Sequence, residues 1–184
     1  MSDQFSTQFS AALRVFVGIV RLKKGPQDLP VSAPLLLSVI VLSVVPDLVI
    51  SALGPATGAN LAFPLAVEII FTLLWYAGML RIAGKPERFF QTATAVFGVQ
   101  VILAPLLVFA GWFVSTYHDD PNWQVPASFV ALIVAIWVLV ILVRILRAAT
   151  EWPMFACLLV TVISQFVALQ LIASLLPAAP AAAG

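Results

Sequence analysis

Residues 127–148 read ASFVALIVAIWVLVILVRILRA, and from Ala127 to Val143 the run holds no ionisable side chain. A helix of a soluble protein keeps one polar face toward water. This one would be apolar all round, the pattern of a helix whose solvent is hydrocarbon. Four further runs of the same kind lie at 32–53, 60–80, 90–114 and 153–176, each bounded by proline, glycine or charge. Each reaches the roughly 20 residues that a bilayer crossing requires. The whole 184-residue chain is 62% hydrophobic and 9% charged, with a mean hydropathy of +1.11. A soluble domain carries about 25% charged residues, so a water-soluble monomer is excluded. The expected fold class is all-α: a polytopic membrane protein with five transmembrane helices over 32–176, an amphipathic interfacial helix and linker over 1–31, and a short disordered tail at 177–184.

The charges are placed unevenly although they nearly cancel, with nine Lys plus Arg against eight Asp plus Glu. Arg14, Arg21, Lys23 and Lys24 precede the first run; Arg81, Lys85 and Arg88 join the second and third; Arg144 and Arg147 join the fourth and fifth. The connections 54–59 and 115–126 and the tail after Leu176 have none. The positive-inside rule then puts the N-terminus in the cytoplasm and the C-terminus outside. A dual-topology transporter, which needs a weak bias, does not fit so complete a split. The same nine basic residues are the candidate contacts to lipid headgroups or to a partner. No cleavable signal peptide is expected, because the first ten residues lack a basic stretch and Arg14 interrupts the apolar run that follows.

Phe5, Phe9, Leu13, Phe16 and Val20 recur at close to every fourth residue among polar neighbours. That spacing predicts an amphipathic helix over 4–24, stopped by Gly25-Pro26 and lying on the cytoplasmic membrane surface, with a helix packed under the bundle as the alternative. Trp112, Tyr117 and Trp123 fall at the outer boundary and Trp152 at the inner one, where aromatic belts form. Trp137, in mid-run, is read as core packing or a lipid-facing ring.

Two carboxylates lie inside the apolar runs. Ser43, Asp47 and Ser51 recur every four residues in the first, and Asn60, Pro64, Glu68 and Thr72 do so in the second, giving each helix one polar stripe. The tight connection 54–59 makes the two helices antiparallel neighbours, which would bring Asp47 and Glu68 together. Pro46 and Pro64 would loosen the backbone beside them. No basic side chain is available in that half of the membrane, so a proton, a cation or another subunit must compensate the charge. Asp47, Glu68, Ser43, Thr72 and Asn60 are therefore the candidate ion or proton site, with a protonated helix clasp as the alternative. Gln100, Thr161, Ser164 and Gln165 are read as hydrogen-bonding glue between helices.

Other chemistry is poorly represented. There is one cysteine, Cys157, and one histidine, His118. Neither a disulfide framework, a cysteine-based metal site, a phosphate-cradling glycine loop nor a serine nucleophile beside a histidine can be drawn, and His118-Asp119-Asp120 reads as a solvated turn. The expectation is a non-enzymatic protein without cofactor, metal or nucleic-acid partner. Its expected partners are the bilayer, further copies or another membrane protein, and possible cargo is a small ion or proton.

Three stretches carry a resemblance. Gly25-Pro26-Gln27-Asp28-Leu29-Pro30 precedes the first run, Gly84-Lys85-Pro86-Glu87-Arg88-Phe89-Phe90-Gln91-Thr92 opens the third, and Ile145-Leu146-Arg147-Ala148 to Glu151 follows Trp137 at the end of the fourth. In this order they resemble the bacterial branch of the Yip family of five-span membrane proteins, over residues 10 to 176. The resemblance implies a multi-pass inner-membrane protein that organises or accompanies a membrane complex. The rival expectation is a proton- or cation-coupled transporter or channel. Eukaryotic Yip relatives carry a Leu-Tyr-Gly-Pro element where this chain has only Gly25-Pro26, so their link to small GTPases is not carried over.

Overall fold

A computed structural model describes residues 2–53 and 62–175. Six helices follow in order: α1 (Ser2–Val20), α2 (Ala33–Leu53), α3 (Ala62–Ile82), α4 (Phe89–Thr116), α5 (Gln124–Thr150) and α6 (Met154–Leu175). Short 3-10 turns at Pro26–Asp28 and Pro86–Arg88 precede α2 and α4, and no strand occurs among the described residues. The bounds of α2 to α6 fall within a few residues of the five apolar runs. Among the described residues four helices, α3 to α6, are long and apolar enough to cross a membrane, and α2 contains a shorter apolar stretch, Ala33–Pro46. Outward-facing Leu37, Val41, Leu74, Ile133, Phe155 and Phe166 are all largely exposed, an arrangement that only a lipid solvent tolerates over so wide a surface. The tail 177–184 and the connection 54–59 lie outside the described residues.

Helix ends follow local chemistry. At α3 the Gly84 backbone takes the left-handed conformation (φ +69°), with Lys85 N–H donating to the Leu80 carbonyl and Gly84 N–H to Arg81, the paired bonds of a Schellman cap. The same motif ends α1, where Lys23 N–H bonds Gly18 O and Leu22 N–H bonds Ile19 O. Here the left-handed residue is Leu22 (φ +59°). Helix α1 thus ends at Val20 with its cap at Leu22, ahead of the expected Gly25-Pro26 break. Pro64 falls in the first turn of α3, where its missing N–H costs nothing; Pro46 inside α2 and Pro105 inside α4 each remove a helical bond.

Helix α4 is the centre of the bundle. It carries α2 along its length and packs on α5, α1 and α3, while α5 also holds α6. The expected side-by-side pairing of α2 with α3 is not what forms: among the described residues α2 lies on α4. The reason is visible on α4, whose residues from Thr92 to Val99 are all buried, so that a surface of Ala, Val, Thr and Gly accepts neighbours on several sides at once.

Helix α1 takes the alternative placement, packed against the bundle over its described part. Its buried residues are Ala12, Val15, Phe16 and Ile19, and they meet α4 and α5. Leu13 and Val20 are half-buried, whereas the side chains of Phe5 and Phe9 lie outside the described residues. The apolar face expected to rest on lipid is thus packed on protein over its described part. Phe16, 2% exposed, presses its ring onto Gly98 of α4, where a β-carbon would overlap it. Helices α4 and α5, of 28 and 27 residues, are about 40 Å long at 1.5 Å per residue. They outreach a hydrocarbon core of about 30 Å, and α1 packs on both of them.

Candidate functional site

The basic end is tied together by side chains from distant parts of the chain. Arg88, at the start of α4, donates through Nη1 to the carbonyls of Ala148 and Ala149, each at 3.2 Å. A cation is favoured at a helix C-terminus because the last carbonyls lack helical donors. Glu151 follows in the left-handed conformation (φ +62°), pairs with Arg88 at 2.9 Å and accepts a second ion pair from Lys85. Hydrogen bonds from Lys85 and Arg88, reinforced by their charge, hold its carboxyl below the ordinary value of 4.5. Gln91, one turn into α4, donates to the carbonyl of Leu29 at 2.8 Å. That bond anchors the linker whose Pro26 and Leu29 are buried, and Asp28 accepts from Gly25 N–H at 2.9 Å.

These ties leave a groove of about 510 Å³ between the linker and the end of α5. Lys23, Lys24, Arg144 and Arg147 contribute its positive charge, and Asp28 and Glu151 its negative. Glu151 is already matched by Lys85 and Arg88, so four cations face one further carboxylate, Asp28, which accepts from Gly25 N–H. The nine basic candidates thus divide. Lys85 and Arg88 are engaged at the end of α5, both with Glu151 and Arg88 also with the last carbonyls. Arg14, Arg21 and Arg81 are exposed outside the groove, and the remaining four line it. Sequence reasoning missed Asp28, Gln91 and Glu151; the signal for the last was an acidic residue four positions beyond Arg147, at the end of the basic helix turn.

The polar residues of α2 and α3 meet α4 at a second place. Ser43, Glu68, Thr72 and Gln100 line a cavity of about 70 Å³ together with Pro46 and Phe97. That volume accommodates one or two waters. Glu68 is half-buried, and the Ser43 hydroxyl donates to the Ile40 carbonyl at 2.8 Å. The Asp47 side chain and Asn60 lie outside the described residues. On α6, Thr161 and Ser164 donate to carbonyls of their own helix, at 2.7 Å and 2.8 Å, and Gln165 is exposed. The hydroxyls expected to bridge helices are therefore satisfied within one, as buried Ser and Thr often are.

At the other end, His118 Nε2 lies 2.8 Å from Asp119 on an exposed turn, and Asp120 accepts from Asn122 N–H at 2.9 Å. Among the described residues no three His, Cys, Asp or Glu converge on a point where a metal ion would fit. Phe109, Phe113, Tyr117 and Trp123 form a chain of ring contacts with centroids 5.2–6.4 Å apart, in the region expected to form the outer aromatic belt. Trp137 is 50% exposed and faces outward on α5. Compared with protein-family profiles, curated proteins and solved structures, the chain gives no match.

Proposed function

We propose that this is a non-enzymatic inner-membrane protein of the Yip-like type. In this reading α2 to α6 are five spans, the N-terminus and the basic end face the cytoplasm, and the protein organises or accompanies a membrane complex. The observation that carries it is the built platform at the basic end. Helix α1, the 25–29 linker and the 84–88 turn are locked on α4 and α5 by Phe16, Gln91 and Arg88, while Arg21, Lys23, Lys24, Arg144 and Arg147 stay exposed. Fixing a set of cations at one membrane surface suits recognition more than turnover.

Two measurements test this reading. Extracted in mild detergent, the protein should migrate in an assembly larger than one chain, and Arg21→Gln with Arg147→Gln should shrink that assembly; migration as a single chain would overturn the organising role. Membrane-impermeant labelling of single cysteines at Ser2 and Ala183, in a Cys157→Ser background, should mark Ala183 alone; labelling of Ser2 alone would invert the topology.

The α2–α3–α4 cavity favours a second reading, a proton- or cation-coupled carrier, because intramembrane ionisable groups beside a polar cavity mark ion pathways. Asp47→Asn with Glu68→Gln separates the two. An organiser keeps its assembly unchanged, whereas a carrier loses ion flux in proteoliposomes.

A further inference from the structure

The basic groove does not end at its charges. Arg147, Arg144, Val140, Trp137, Ile136 and Ile133 lie three or four residues apart on one face of α5, and all are exposed. Between residues 144 and 140 this face changes from basic to apolar. The apolar part is concave: Ile133, Ile136, Trp137 and Val140 form a second groove of about 260 Å³ whose remaining wall is Leu22. Leu22 also lines the basic groove, so one side chain joins the two. It does so from a left-handed backbone (φ +59°), a conformation that usually selects glycine and disfavours a leucine.

We infer that the joined grooves are a binding site for one anionic phospholipid, with its phosphate-bearing headgroup among Lys23, Lys24, Arg144 and Arg147 and one acyl chain against Leu22 and the Ile133–Val140 face. The lengths agree. From residue 144 to residue 133 is eleven residues, or about 16 Å along the helix, and one hydrocarbon leaflet is half of about 30 Å. The charges agree as well, since basic pockets at the cytoplasmic ends of membrane helices take anionic headgroups. Asp28, tied to Gly25 N–H, sets a limit at one edge that favours a compact headgroup.

This inference rests on the proposed insertion of the helices with their basic end at a membrane surface. The test is native mass spectrometry of the full chain in detergent, titrated with phosphatidylglycerol or phosphatidylcholine. One phosphatidylglycerol should be retained in preference to phosphatidylcholine. Lys24→Gln with Arg144→Gln should weaken its retention about thirtyfold, the effect of two basic contacts to an anionic surface, with an unchanged thermal midpoint; Lys24→Arg with Arg144→Lys should restore it. Trp137→Ala should also weaken retention, and millimolar inorganic phosphate should not displace the lipid. Equal retention of the two lipids, or of phosphatidylglycerol by wild type and the double Gln variant, would overturn the site. Displacement by phosphate with Trp137→Ala neutral would overturn the lipid in favour of a free phosphate. Alkaline carbonate releasing the chain from membranes would instead overturn the insertion on which both rest.

Discussion

The two halves of the helix bundle are built differently. At the basic end α4 is buried continuously from Thr92 to Val99, and α5 buries Ile141, Leu142, Val143, Ile145, Leu146, Ala149 and Thr150. Toward the other end α5 buries only Val134 between Ser128 and Val140, and contacts rest on rings such as Phe109, Phe113 and Trp123. The first half acquires extra layers from α1 and two ordered turns; the second leaves side chains such as Phe129, Leu132 and Ile133 exposed. A membrane protein gains little from burying an apolar side chain against another helix where lipid offers an equally apolar environment. Where the helices emerge toward water, burial regains its full hydrophobic benefit, and the chain invests its packing there.

Substitutions can break or sharpen this contrast. The largest effect should come from Phe16→Ala, which empties the α1–α4 contact: about 3–5 kcal/mol by the range for buried aromatic truncation, read as a lower thermal midpoint and as proteolysis within α1. Overfilling the same contact with Gly98→Val should cost about 1–3 kcal/mol, with the same protease sensitivity. Proteolysis unchanged in both would show that α1 is not held by this contact. Arg88→Ala removes two bonds to the end of α5 and should cost about 1–2 kcal/mol; hydrogen exchange should rise at 145–150 and stay level at 128–140. In the opposite half, Phe113→Leu should cost about 0.5–1.5 kcal/mol, the worth of an aromatic pair, without touching α1. A loss equal to that of Phe16→Ala would erase the distinction.

The smallest effect concerns Glu151, which is exposed. Its carboxyl titrates below its ordinary value in the folded protein because of Lys85 and Arg88. Its stabilising contribution is therefore complete above about 4.5, the unfolded value, and is lost as pH falls through the lowered folded one. Thermal midpoints of wild type and Glu151→Gln should differ at neutral pH and converge in acid. A constant difference across that window would exclude the ion pairs as its cause.

Composition and periodicity alone determined the all-helical, apolar class and, to within a few residues, the bounds of α2 to α6, because a hydrocarbon solvent imposes one requirement on every apolar helix: enough consecutive apolar residues with their backbone bonds satisfied internally. The stripe that turns from Ile133 and Val140 to Arg144 and Arg147 was missed by sequence reasoning, although it was legible as a matter of spacing on one helix. Partner choice was not. Apolar runs of similar composition carry no mark of which neighbour they meet, and Gly98 reveals its use only when Phe16 is placed upon it. That α2 lies on α4, that Lys85 and Arg88 serve α5, and that Leu22 joins two grooves were decided by tertiary structure, since each depends on residues dozens of positions apart arriving at one end of the bundle.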